Sequence, residues 1–487
     1  AAAVVRLGAS LAAFLVGGTV GGGISDWMIA GGRLAQGKRP ADAWGDLASD
    51  LPAPWLYWSC TAVVLAVAIG LAVGAWRLWR RLGRAGERRR FGQPTEAREA
   101  SRADIVPLAV KGIIPPTGRM LLGRVAGRRQ VLATEDQVRH PLPKRYADRQ
   151  GNRGSVALIG PTGSGKTALA ASAIATWDGP VVAVSVKRDL FDATASARSR
   201  CGEIAVFDPG GATGLPSARW SPLEHLDSSS AALRTGRALA QAIPRSGVTN
   251  SDYWATHGEN LLGAFMEVAT LSRLLRATGR NVPKVTLEQL ATWVTTMAGN
   301  GEPAINTLIR AGLEPEQDRE IRLIARHASV AFDGFAQEDH KVRSSVYTTA
   351  ALAINPWLEP SVAHSASDSA HPFYASRNGW DRKPRLIDLE WLMGGGDGNS
   401  NTLYLAASQP EFQRLSPVLG GLLADIKDTI HEWDIAGREL DKPLMIVIDE
   451  AGQLELGWLP GEVSTIAALG AFFVTCWQSL AQMQHRY

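Results

Sequence analysis

The feature that most restricts what this chain can fold into is the run Gly160-Pro161-Thr162-Gly163-Ser164-Gly165-Lys166-Thr167. It follows the apolar, strand-like Ser155-Val156-Ala157-Leu158-Ile159 and precedes the helix-forming Ala168-Leu169-Ala170-Ala171-Ser172-Ala173. A glycine-rich loop between a strand and a helix is the phosphate-binding P-loop pattern in the context that pattern requires. Glycines let backbone N–H groups wrap a phosphate without Cβ clashes, and the helix N-terminus adds a partial positive charge. Lys166 is expected to reach the β- and γ-phosphates, and the Thr167 hydroxyl to coordinate Mg²⁺. ATP and Mg²⁺ are therefore the expected ligands, held by Gly160 through Thr167.

A second signal lies far downstream, where the apolar Leu444-Met445-Ile446-Val447-Ile448 ends in Asp449-Glu450. Taken alone, two acids at a strand end are common. Paired with an upstream P-loop, they predict Asp449 beside Mg²⁺ and Glu450 orienting and polarising an attacking water, because hydrolysis needs an in-line nucleophile. Gln478 follows another apolar strand, 471–477, and is the candidate sensor of the γ-phosphate; the alternative is an ordinary polar cap. Arg343 is a weaker candidate for an arginine finger acting in trans, against the simpler reading of a solvated surface residue. The nine His show no ligand spacing, and no metal site beyond Mg²⁺ is assigned. Cys60, Cys201 and Cys476 are far apart and read as small apolar residues rather than ligands or nucleophiles.

Two apolar runs stand near the start. The first, about 7–24, is glycine-rich and close to bilayer length; the second, about 55–76, has no charged residue and is flanked by Trp55, Trp58, Trp76 and Trp79. A spanning helix needs roughly 20 apolar residues, and Trp favours the membrane interface. Arg77, Arg80, Arg81, Arg84, Arg88, Arg89 and Arg90 follow the second run. Such a cluster marks a cytoplasmic flank, so the loop with Asp26, Asp42, Asp46 and Asp50 is expected outside. A membrane anchor over 1–90 and a polar linker over 91–110 are the result. For the first run a signal peptide or a buried core helix is the competing reading.

With 487 residues, two or three units are expected. A formal net charge of +4 is too small to argue for nucleic-acid binding by itself. From residue 155, short apolar runs alternate with helical stretches, which predicts a parallel sheet covered by helices. Between 223 and 342 the pattern turns helical. There Leu261, Phe265, Val268, Leu271 and Leu275 recur at helical spacing, and Thr286 with Gln289 reads as a capping box. Residues 360–382 read as a surface loop, and 394–400 as a flexible turn before a strand beginning at Thr402. The predicted organisation is α/β: a P-loop motor domain over 111–222 and 343–487, interrupted by an all-helical domain over 223–342. The chain opens at Ala1 without a Met and stops at Tyr487, so truncation at both ends is expected.

These residues resemble the type IV secretion coupling proteins, the TraG/TraD-like ATPases of bacterial conjugation, over most of the chain. Beside the P-loop and Asp449-Glu450, Phe207-Asp208-Pro209 with Trp220-Ser221-Pro222-Leu223 resembles the family's DP…WNPL segment, with Ser221 where Asn is usual. Tyr253-Trp254 with Leu261-Leu262 resembles the start of its helical insert. Gln478-Ser479-Leu480-Ala481-Gln482 resembles its QS-x-x-Q segment. Two departures stand out. Only Lys187 of Ser185-Val186-Lys187-Arg188-Asp189 matches the family's Asp-Pro-Lys-Gly-Glu run, and Ile466-Ala467-Ala468-Leu469-Gly470 lacks its usual basic residue.

The resemblance implies a RecA-like P-loop NTPase domain with an inserted all-α domain, preceded by two transmembrane helices. It implies an inner-membrane homo-hexamer with a cytoplasmic motor. Such a protein recruits DNA with its relaxase and passes this nucleoprotein to secretion-channel components using ATP. The alternative is a nucleotide-switched docking receptor for secreted proteins, with little DNA-dependent hydrolysis.

Overall fold

The computed structural model describes residues 2–87, short stretches between 105 and 134, and residues 154–243, 251–367, 385–395 and 398–486. Outside these fall most of the expected linker over 91–110, the expected loop beyond 367 up to 382, and part of the 394–400 turn. The side chains of the arginine cluster beyond Arg77 also fall outside. The chain divides into two compact units, Ala1–Ala100 and Ser101–Tyr487.

In the first unit, Ala2–Phe14 is a helix of 13 residues and Pro54–Glu87 a helix of 34. The expected single span over 7–24 is not a continuous helix. At about 1.5 Å per residue, Ala2–Phe14 reaches about 20 Å, short of a hydrocarbon core of about 30 Å. Glycine ends it: Gly17 has φ +81°, and Gly18 lies so close to the opposite backbone that a Cβ would stand 2.2 Å from the Ser49 carbonyl oxygen. The short helix packs on the long one through Ala9, Ala12 and Ala13 against Tyr57 and Cys60. Gly8 allows this approach, since a Cβ there would meet the Thr61 Cα at 2.8 Å.

Among the described residues, one helix is long and apolar enough to cross a membrane. This segment, Pro54–Arg77, has a mean hydropathy of 2.1, and 17% of its most apolar window is buried. Its side chains therefore lack the protein cover that a core helix of this hydropathy would have.

The second unit begins with a small antiparallel sheet that the sequence did not announce. It contains β1 (Ala109–Val110), β2 (Leu121–Arg124) and β3 (Val131–Ala133) in the order β1-β3-β2. The main sheet has six parallel strands: β4 (Val156–Ile159), β5 (Val181–Ser185), β6 (Ile204–Phe207), β7 (Thr402–Ala406), β8 (Leu444–Ile448) and β9 (Ala471–Trp477). Their order is β4-β9-β8-β5-β7-β6.

Strands β5, β7, β8 and β9 are buried at every residue, as expected for a parallel sheet covered on both faces. Alternate residues feed two cores. Val182, Val184, Ile446, Ile448 and Phe473 join one, with the helix Ser416–Ile435. Val181, Ala183, Met445, Val447 and Phe472 join the other, with the helix Lys166–Thr176.

Between β6 and β7 every described regular element is a helix. The longest, Ser251–Ala277, buries Leu261, Phe265, Val268, Leu271 and Leu275 completely. Thr286 and Gln289 form the reciprocal cap of Leu287–Thr295. Helical structure continues past residue 342 through His340–Ile354 and Pro360–His364.

Candidate functional site

Parallel strands present their C-terminal ends on one edge, and the sheet order sets what stands side by side there. β9 lies between β4 and β8, pairing Ile159 with Trp477 and Ile448 with Thr475. The glycine-rich loop after β4, Gln478 after β9 and Asp449-Glu450 after β8 are therefore neighbours on one edge.

The loop is held by its own chemistry. The Gly160 N–H donates to the Trp477 carbonyl at 3.0 Å, extending the β4–β9 ladder by one bond. A Cβ on Gly160 would stand 2.7 Å from Ser164 Oγ. Gly163 and Gly165 have φ +81° and +87°, conformations that disfavour any side chain. Gly165 caps Lys166–Thr176, so that helix points its N-terminus at the loop. The Lys166 ammonium folds back over it, donating to the carbonyls of Gly160 at 2.6 Å and Pro161 at 2.9 Å.

Thr167, at the start of the same helix, places Oγ1 3.2 Å and 3.4 Å from the two carboxylate oxygens of Asp449. A hydroxyl and a carboxylate in contact are two hard oxygen donors of the kind Mg²⁺ takes, usually alongside waters and phosphate. Asp449 is buried, and its N–H donates to the Val184 carbonyl at 2.9 Å. Burial pushes its carboxyl up, while hydrogen bonds from Thr167 and Cys476 and the charge of Lys166 pull the other way. The Cys476 thiol is pushed up to about 12, by burial first and by the Asp449 charge second. It stays a protonated donor beneath the carboxylate.

Glu450 is half-buried with φ +59° and ψ 50°. An L residue in this left-handed conformation is strained, by about 1 kcal/mol or more. It turns the chain from β8 into the short 3₁₀ helix Ala451–Gln453. Gln478 is exposed at the end of β9. Arg343 lies in the helical segment His340–Ile354, where its Nη1 donates to the Ala336 carbonyl at 3.0 Å. Lys187 is exposed just beyond β5. Gln482, the last residue of the Gln478-Ser479-Leu480-Ala481-Gln482 segment, lies so close to Gly452 that a Cβ there would stand 2.3 Å from its Nε2, and Gly452 is the residue that sequence reasoning missed.

A parallel α/β sheet with a glycine-rich loop on one strand end and a contacting acid two strands over defines a P-loop nucleotide-binding fold. Residues 113–378 match the family model described as Type IV secretory system Conjugative DNA transfer. That match spans more than half of the chain, and the chain belongs to this family. Comparison with curated proteins gave no match.

Similar solved structures include the bacterial conjugative coupling protein TrwBdeltaN70 in complex with sulphate. Identity is 16% and the TM-score 0.44, over 70% of this chain and 67% of that one. Its unbound monoclinic form gives 15% and 0.43, over 70% and 65%. Plasmid coupling protein TrwB in complex with ADP and Mg²⁺ gives 16% and 0.44, over 71% and 67%.

Proposed function

We propose that this chain is a membrane-anchored ATPase of bacterial conjugation. In this reading it recruits DNA with its relaxase and drives the nucleoprotein into a type IV secretion channel. The anchor occupies 1–90 and the linker 91–110. The RecA-like motor occupies 111–222 and 343–487, and the helical insert 223–342. The arginine cluster after Pro54–Arg77 supports a cytoplasmic motor on the inner membrane. Assembly as a homo-hexamer and any second membrane crossing through the first apolar segment belong to the same proposal.

The observation that carries the reading is the contact of Thr167 with Asp449, which joins the P-loop to an acid 282 residues away. The loop, the Lys166 ammonium and this oxygen pair suit a Mg²⁺-nucleotide. Lys166 would exchange the carbonyls of Gly160 and Pro161 for phosphate oxygens, and Thr167 and Asp449 would hold Mg²⁺. Mg²⁺, when bound, neutralises charge on the phosphates. Glu450 orients a water for in-line attack and accepts its proton, and Gln478 senses the γ-phosphate end. DNA as the cargo rests on the family.

The test is ATP hydrolysis by the full chain in detergent, with and without single- and double-stranded DNA. The proposal expects DNA to raise the rate and Lys166→Ala to abolish it. Hydrolysis indifferent to DNA would contradict the proposal.

A further inference from the structure

Gln482 lies in the helix Leu480–Arg486, outside the loop and acids described above. Its Oε1 accepts the backbone N–H of Gln478 at 3.0 Å, and its own N–H donates to Ser479 Oγ at 3.1 Å. The same amide lies over Gly452: a Cβ placed there would stand 2.3 Å from Gln482 Nε2 and 2.4 Å from its Cδ. Gly452 belongs to Ala451–Gln453, the turn that leaves the left-handed Glu450. One side chain thus fixes the peptide of Gln478 and presses on the turn carrying the acid pair. A glycine at 452 is what leaves room for it.

We propose that Gln482 is a positioning residue for hydrolysis. It locks the start of the segment after β9 against the turn after β8, so that Gln478 and Glu450 keep a fixed separation. Gly452 is the other half of this lock. The proposal rests on the reading of Asp449, Glu450 and Gln478 as the hydrolytic set. Misplacement of a reacting group by about 1 Å can slow a reaction as much as ~100-fold, so a small lock matters to the rate.

The experiment uses the full chain, steady-state ATP hydrolysis, and equilibrium binding of a non-hydrolysable ATP analogue. Gln482→Met keeps a side chain of similar length but removes the acceptor, whereas Gln482→Glu keeps an acceptor. We expect Gln482→Met to lower kcat about tenfold with KM and analogue Kd unchanged, and Gln482→Glu to stay within about threefold of wild type. Gly452→Ala displaces the amide from the opposite side and is expected to match Gln482→Met. The double variant is then no slower than either single one, because both break the same contact.

An unchanged kcat in Gln482→Met, effects that multiply in the double variant, or analogue binding lost in step with kcat would each overturn the proposal. Hydrolysis that survives Lys166→Ala would overturn the underlying reading of the site, and this proposal with it.

Discussion

The Asp449 carboxylate is buried under Thr167, and burial raises its pKa above the ordinary 3.8. Below that ordinary value the group is protonated in both folded and unfolded chains, and its favourable contribution is fully present. As pH rises towards the raised folded value, the unfolded chain has lost a proton that the folded chain still holds, so stability falls and stays lower above it. At pH 7 without Mg²⁺, Asp449→Asn is therefore expected to melt at the same or a higher temperature than wild type, yet to lose Mg²⁺-dependent hydrolysis. Thermal melts beside hydrolysis assays check both halves, and a lowered melting temperature contradicts this account.

Arg198 is the structural counterpart. It is fully buried, and its guanidinium donates to Thr402 Oγ1 and to the carbonyls of Trp177, Gly179 and Ser400. Arg198→Leu leaves several buried acceptors without this donor, and a loss of about 3 kcal/mol or more is expected in urea unfolding. The DP and Trp-Ser-Pro-Leu segments also prove structural. Asp208 accepts from the Thr213 N–H and Oγ1, both at 2.6 Å, and Trp220 Nε1 donates to Asp425 at 2.9 Å. These residues were legible as a family pattern, but what they hold together was not.

Among the elements, legibility followed locality. β4, its loop and its helix were readable because their determinants lie within about 20 consecutive residues. β8 and β9 were readable because buried parallel strands are continuous apolar runs. The first apolar segment reads as one helix to about residue 24, whereas the helix stops at Phe14, because hydropathy records composition rather than helix propensity. Gly17 and Gly18 are near neutral on such a scale, so they barely lower the hydropathy of the run, and still they end the helix at Phe14. β2 holds only four residues with Gly123 at φ +125°, too short and irregular to show a period. The Gly452–Gln482 contact joins two segments and has no local signature. The same close approach governs the N-terminal pair of helices. Gly8→Leu is expected to force the Ala2–Phe14 helix from Thr61 and to lower the thermal midpoint of the first unit in micelles, while Ala3→Leu, at an exposed position of the same helix, does not lower it.

At the scale of the whole chain, the proposal joins a membrane anchor to a cytoplasmic motor. Thiol labelling in intact cells tests that orientation. Gln36→Cys, exposed between the N-terminal helices, is expected to react with a membrane-impermeant reagent. Glu338→Cys, exposed in the helical segment, is expected to react only after lysis. The central claim is chemical: the edge formed by the loop, Asp449 and Glu450 hydrolyses ATP. The most direct measurement compares MgATP binding with turnover in Glu450→Gln, a change that keeps side-chain length at a left-handed position. The account predicts ATP affinity within about twofold of wild type and a hydrolysis rate lower by about 10²-fold or more. Turnover at the wild-type rate in Glu450→Gln would contradict it.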